Sequence, residues 1–251
     1  MSASLVVNDL GRIGYAEALT IQRRAQQEVI NGRAAGVPMQ LLLLEHDPPV
    51  LTVPRRAHTA AHVLANAEML RALGVEQHET DRGGDVTYHG PGQVVAYAIF
   101  DLERLHLGIH EHMRLLEQAV IEVCARFGIA AGRDASATGV WIDSTGPGTG
   151  RKICAMGVRV SRWVSMHGLA LNVSPDLTHF HLIVPCGLAG RKVTSMAAEL
   201  GPRCPTVAEV KAVLAAQLSE AVEARLPAAA EARLRATDAC PAPGHSPPSP
   251  S

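Results

Sequence analysis

The sequence predicts a single α/β domain of the α+β type, a β-sheet of antiparallel or mixed pairing with helices packed against it. Three observations carry this. Stretches of helical spacing alternate with short apolar runs of strand length, two late runs lie close enough to pair as a hairpin, and 251 residues suffice for one substantial core. No repeat of solenoid length is visible, and strand order cannot be read from the pattern.

A first helix is predicted over Tyr15–Asn31, where Leu19, Ile21, Ala25, Val29 and Ile30 roughly follow helical spacing and Gly32 ends the run. Gln40–Glu45 contains the unbroken block Leu41 to Leu44, the kind of run that lies in a sheet covered on both faces, and Pro48 and Pro49 end it. A second helix is expected near Ala61–Leu73, packing on the sheet through Val63, Leu64, Ala67, Leu70 and Leu73, with Gly74 as left-handed cap. Asp81–Gly92 reads as a strand-linking loop, followed by a strand at Val94–Phe100 and a long helix at Ile109–Phe127 closed by Gly128. Strands follow at about Gly139–Ile142, Ile153–Val160 and Val164–Val173, the last two forming a hairpin across Ser161-Arg162. Thr206 and Glu209 make a capping-box signature that opens a helix to about Leu226, with Val207, Val210, Leu214 and Leu218 inward and Pro227 as its stop. The folded domain is expected to cover residues 1–237, and the Pro/Ser-rich stretch 238–251, with almost nothing to bury, a disordered tail.

With 23 basic and 24 acidic residues the formal net charge is −1, which gives no field to attract nucleic acid or an anionic membrane. The N-terminal stretch lacks a cationic segment followed by a long apolar run, and the densest apolar block is far too short to span a bilayer, so a cytoplasmic protein is expected. Cys124, Cys154, Cys186, Cys204 and Cys240 are odd in number and scattered without a CxxC pair, which argues for reduced thiols rather than disulfides or a structural zinc. Asn172-Val173-Ser174 fits a glycosylation acceptor, but without an export signal it reads as a strand end before Pro175.

Chemistry concentrates in a few segments. Arg82 to Gln93 packs four glycines among polar groups, so a ligand can approach its backbone while Arg82 and His89 offer donors; a tight structural turn is the equal alternative. The segment is neither GxGxxG nor GxxxxGK[ST], and nucleotide binding gains no support. Pro185-Cys186-Gly187 sets a thiol at a strand-to-turn corner after Leu182-Ile183-Val184, although most cysteines are structural. A catalytic thiol needs a cation, base or helix N-terminus beside it. Lys152 begins a strand after the Gly146–Gly150 loop, and taken alone reads as solvated. In Met166–Asn172, Gly168 and Ala170 interrupt an apolar strand, leaving room either for an acyl chain or for a closely packed helix. His106, His110 and His112 surround a helix start without HExxH, so capping or solvation outweighs metal binding.

Taken together, RGGDVTYHGPGQ, the strand with Arg151, Lys152, Ala155 and Gly157, HGLALNV, and IVPCG followed by Val193-Thr194-Ser195 resemble the octanoyltransferases of lipoate biosynthesis, over about Leu5 to Leu226. The resemblance implies a fold similar to the catalytic domain of lipoate and biotin protein ligases, a mixed sheet flanked by helices. It implies a cytoplasmic acyltransferase moving octanoyl from octanoyl-acyl carrier protein to a lysine of lipoyl domains, those of 2-oxoacid dehydrogenase complexes and the glycine cleavage H protein, with no metal or other cofactor. By position, Cys186 matches the acyl-thioester cysteine and Lys152 the lysine that lowers its pKa. Arg82, Gly83, Gly84, Asp85, Val86, Thr87, Tyr88 and His89 match the substrate loop, and Ala155, Met156, Gly157, Gly168, Leu169 and Ala170 the backbone lining the acyl pocket. Ala98 and Cys154 depart from the family pattern, which usually has proline and alanine there. An ATP-dependent lipoate or biotin ligase and a non-catalytic acyl-protein binding module are the competing readings.

Overall fold

The apolar block at 41–44 forms the heart of β2 (Met39–His46), inside the mixed sheet that the sequence predicts. The computed structural model describes residues 4–56, 59–184 and 191–226. The main path of that sheet runs β1 (Leu5–Ile13), β2, β6 (Gln93–Ile99), β10 (Val164–Asn172), β9 (Arg151–Ser161), β8 (Ala137–Ile142) and β7 (Ala131–Asp134), with β11 (Lys192–Val193) added to β9. β1 and β11 pair in parallel with their neighbours, and the other pairings are antiparallel. A second sheet sets β3 (Val50–Pro54) between β4 (Glu76–Thr80) and β5 (Thr87–His89).

Alternation along the strands explains why both faces of the large sheet are apolar. Leu42 and Leu44, Val95, Tyr97 and Ile99, and Met166 and Ala170 share a core with Ala18, Ala25 and Val29 of α1 (Tyr15–Asn31). Their neighbours Leu41, Leu43, Val94, Ala96, Leu169 and Leu171 belong to the opposite core. It is completed by Leu116, Val120 and Val123 of α3 (Ile109–Arg126), Met196 and Leu200 of α4 (Met196–Leu200), and Val210, Leu214 and Leu218 of α5 (Val207–Glu223). A third cluster fills the small sheet with Leu51, Val86 and Tyr88 against Phe180 and Leu182.

The second predicted helix is corrected. Thr59–His62 is a single 3₁₀ turn, Val63 pairs with Ile183 in an isolated bridge, and the Asn66 side chain accepts from Met69 N at 2.8 Å to start a new, short α2 (Ala67–Ala72). Of the expected inner stripe, only Leu70 is fully buried, beside the small sheet rather than on the large one; Leu64 and Leu73 are exposed. An Asn cap competes for the backbone that a continuous helix would need. Gly74 does take the left-handed conformation, with φ +64°. The loop read at Asp81–Gly92 contains β5, because Thr87–His89 pairs with Thr52–Val50.

The hairpin forms as expected, but its turn residues are Arg162 and Trp163, both at positive φ (48° and 64°) as a two-residue turn matched to strand twist requires. Lys152 is buried rather than solvated. Among the described residues no helix is long and apolar enough to cross a membrane. Cys186, Pro227, Cys240 and the predicted tail at 238–251 lie outside the described residues.

Candidate active site

Cross-strand register builds the floor of a cavity. Gly157 of β9 lies opposite Gly168 of β10, and Ala155 opposite Ala170; on the far side of β10, Gly168 meets Tyr97 and Ala170 meets Val95. Small residues at these four positions leave a trough in the face toward α1.

The glycine-rich segment closes the trough. Gly83 N donates to Val158 O at 2.9 Å, holding the segment's backbone against β9, and a Cβ on Gly157 would collide with Gly83 O. Gly84 turns the chain at φ +90°. Arg82, with 8% of its surface exposed, folds back to donate from Nη2 to Thr52 Oγ1 at 2.9 Å and from Nη1 to Gly83 O at 3.1 Å. Most of the predicted residues therefore converge: Arg82, Asp85, Thr87, His89, Ala155, Met156, Gly157, Gly168, Leu169 and Ala170 all line one cavity. Gly83 and Gly84 shape the wall from behind, while Val86 and Tyr88 turn away into the third core, where Tyr88 Oη meets His179 Nδ1 at 2.9 Å.

Tyr15, Tyr97 and His167 also line the cavity and were not singled out from the sequence. Their signals were weak, since Tyr15 opens a helix, Tyr97 sits in an apolar strand, and His167 merely precedes Gly168. His167 adopts φ +64° in mid-strand, a sparsely populated conformation for a residue with a side chain. Its Nε2 donates to the Asp81 carboxylate at 2.8 Å, and Arg159 lies 3.2 Å from the other oxygen of that carboxylate. Burial would raise the Asp81 pKa, but the His167 hydrogen bond and the nearby cations together hold it below the usual carboxylate value. Desolvation keeps His167 itself below the ordinary histidine value, against the pull of Asp81.

Beneath the cavity His46 donates from Nδ1 to Ile13 O at 3.1 Å. Its Nε2 lies 2.6 Å from Tyr97 Oη, whose hydroxyl supplies that proton while the imidazole is neutral. Burial brings the His46 pKa down to about 4 and pushes that of His89 well below its ordinary value, the latter helped by His46 and Arg82. The polar wall thus combines neutral imidazole and phenol at pH 7 with the Arg82 guanidinium and the side chain of Asp85, whose Oδ2 lies 2.7 Å from His62 Nδ1.

Lys152 stands at the start of β9, off this cavity. Its Nζ is 4.7 Å from the centre of the Trp141 ring, and its carbonyl accepts from Thr194 N at 2.9 Å. Nearby, Asn172 takes a hydrogen bond from Gln93 and donates to Thr194 O, which accounts for it as a buried strand end. Cys186 lies in the stretch 185–190 outside the described residues; the described chain leaves at Val184, bound to His62 O, and resumes at Arg191. Burial raises the pKa of Cys124 to about 12, and those of Cys154 (well above the ordinary value) and Cys204 also rise, so these three thiols stay protonated at pH 7.

The sequence model of the lipoyl protein ligase A/B catalytic domain matches residues 14–219. An octanoyltransferase of Acidobacterium capsulatum is 50% identical over 198 residues, covering 76% of this chain and 78% of its own. One of Porphyromonas gingivalis is 46% identical over 195 residues, 77% of this chain but only 39% of that longer protein. Among solved structures, a bi-partite lipoate protein ligase from Thermoplasma acidophilum superposes with a TM-score of 0.63 at 16% identity, over 89% of this chain and 84% of that one, a likeness of fold. On the match across residues 14–219 and on relatives near half identity, the chain belongs to the lipoyl protein ligase A/B catalytic-domain family and, within it, to the octanoyltransferases.

Proposed function

We propose that the chain transfers an octanoyl group from octanoyl-acyl carrier protein to the ε-amine of a lysine in lipoyl domains, those of 2-oxoacid dehydrogenase complexes and the glycine cleavage H protein. The setting is the cytoplasm, with neither nucleic acid nor membrane as partner. What carries the reading is the cavity assembled from three distant segments, a small-residue trough on β9 and β10 closed by the glycine-rich backbone. An apolar floor of Ala155 and Ala170 beside Gly157 and Gly168 suits an alkyl chain, since each buried CH₂ contributes about 0.8 kcal/mol.

In the proposed mechanism the Cys186 thiolate attacks the carrier thioester, the carrier sulfur leaves and takes a proton, and an octanoyl-Cys186 thioester remains. The acceptor amine then attacks that carbonyl, loses its proton, and expels Cys186 as thiolate. Thioester exchange is nearly isoenergetic and amide formation runs downhill, so no nucleotide is consumed. Lys152 pairs with the thiolate and passes the proton between the two half-reactions. Protonation of the three described thiols supports placing the nucleophile elsewhere.

Incubation with octanoyl-carrier protein, followed by intact-mass measurement, tests the reading. One octanoyl group labile to hydroxylamine is expected on the wild type and none on Cys186→Ala, with transfer to a lipoyl domain reduced by several orders of magnitude. Near-normal transfer by Cys186→Ala, or transfer that requires ATP and free octanoate, overturns it.

A further inference from the structure

Lys152 faces β8 directly. Trp141 is its register partner across the β8–β9 ladder, at a point where the register shifts after Val140. The indole is 1% exposed, and its Nε1 donates to Ala137 O at 3.1 Å, which fixes the ring plane. The Lys152 ammonium lies 4.7 Å from that ring's centroid, within the distance at which a cation is attracted by the face of an indole.

Two residues earlier on the same strand, Gly139 has φ +121°, and a Cβ there would meet Cys154 O and come within 3.3 and 3.5 Å of Lys152 Cε and Nζ. The space beside Gly139 is therefore the space the lysine occupies.

Trp141 also seats a second cation. Arg191 Cζ is 4.1 Å from the ring centroid, and its Nη2 donates to Asp134 Oδ2 at 2.6 Å, with both side chains nearly inaccessible. Asp134 offsets the Arg191 charge, so the two cations can share the ring. From Arg191 the chain continues into β11, where Val193 lies opposite Lys152. Arg191 is also five positions after Cys186.

We propose that Trp141, with Gly139 beside it, is a positioning residue for Lys152: the indole ring, its plane fixed by the bond to Ala137, sets where the lysine's ammonium stands. This rests on the Cys186–Lys152 reading and extends it to β8, which no motif singled out. Trp141 is not among the residues lining the acyl trough, so removing the ring loosens the chemistry, and turnover rather than substrate binding carries the effect.

Trp141→Phe keeps an aromatic face and Trp141→Leu removes it. Transfer kinetics, iodoacetamide modification of the Cys186 peptide at pH 7 followed by mass mapping, and thermal midpoints are measured on both. Expected for Trp141→Leu is a fall in kcat of roughly five- to thirtyfold, a KM for octanoyl-carrier protein within about twofold of wild type, and slower Cys186 alkylation, with Trp141→Phe recovering most of each. Equal losses in Phe and Leu, or wild-type kcat and alkylation despite a lowered midpoint, would mean the ring only fills the core, and the inference falls. If Trp141→Leu does not fold, Gly139→Ala and Trp141→Phe decide. A kcat-selective loss in Gly139→Ala with a milder one in Trp141→Phe supports the cradle, and wild-type kcat in both ends it. Cys186→Ala runs in parallel. If it transfers normally the parent mechanism fails, whereas an inactive Cys186→Ala beside normal Trp141 variants sinks this inference alone.

Discussion

Gly157 shows how one missing Cβ sets the site. Its carbon faces Gly83 O, which is backbone and cannot rotate aside as a side chain would, and Gly83 is bonded through its own N–H to Val158. Gly157→Ala must therefore lift the segment that carries Arg82, stretching the Arg82–Thr52 bonds and widening the trough. We predict a stability loss of about 1–3 kcal/mol and a fall in transfer of roughly a hundredfold, read from thermal unfolding and turnover on the same preparation. Wild-type turnover in that variant would place the acyl chain elsewhere. At this scale the sequence was informative where a residue type was out of place for its element, as with the small residues interrupting β10 and the glycines of 83–92. It was silent on Tyr15 and Tyr97, whose rings look like ordinary core until the hydroxyls are placed against Thr80 and His46.

Helices proved more legible than strands because their ends carry chemistry of their own. α5 opens with Thr206 Oγ1 accepting from Glu209 N at 3.2 Å while the Glu209 carboxylate accepts from Thr206 N at 2.7 Å, the capping box that the sequence predicts. α5 contributes Val210, Leu214, Leu218 and Val222 to the main core, so its first turn bears on the whole domain. Thr206→Ala should cost about 1 kcal/mol in urea unfolding without changing transfer activity of the folded enzyme, whereas Thr206→Ser should be close to wild type. A loss of activity larger than the loss of folded protein would contradict a purely structural role for α5. α1 and α3 match their predicted spans to within a residue. β4 shows neither an apolar run nor clean alternation, and in β1 the polar Asn8, Asp9 and Arg12 interrupt the apolar residues, so neither strand is legible from the pattern. α2 is shorter than the spacing predicts for the opposite reason: Val63, Leu64, Ala67, Leu70 and Leu73 fit helical spacing, yet the Asn66 cap and the Val63 bridge divide them.

For the whole molecule, strand order was hidden because the pairings join segments far apart in sequence, β2 to β6 and β6 to β10, and nothing local to either partner encodes the match. The same folding buries several imidazoles, and that has a consequence for stability. His46 and His112 are both inaccessible, and burial lowers each from the ordinary 6.5 to about 4; the His112 ring packs edge-to-face with Phe100, and among the described residues neither of its nitrogens has a hydrogen-bond partner. Below pH 6.5 the unfolded chain takes up protons at these positions while the folded chain does not, so the histidine contribution to stability falls as pH drops from about 6.5 toward 4 and levels off beneath that. Asp81 and Asp134, whose pKa values are depressed, stabilise fully above the ordinary carboxylate value of 3.8 and are lost only below it, outside this window. Between pH 7 and pH 5 each of the two histidines should therefore remove on the order of 2 kcal/mol, visible as a lower urea midpoint at unchanged slope. His112→Leu replaces a buried, unpartnered imidazole with an apolar side chain of similar reach, so it should remove His112's share of a dependence to which His46, His89 and His167 also contribute, and leave turnover at pH 7 intact. A wild-type midpoint that stays constant from pH 7 to pH 5 would show that these imidazoles are solvated or paired when charged.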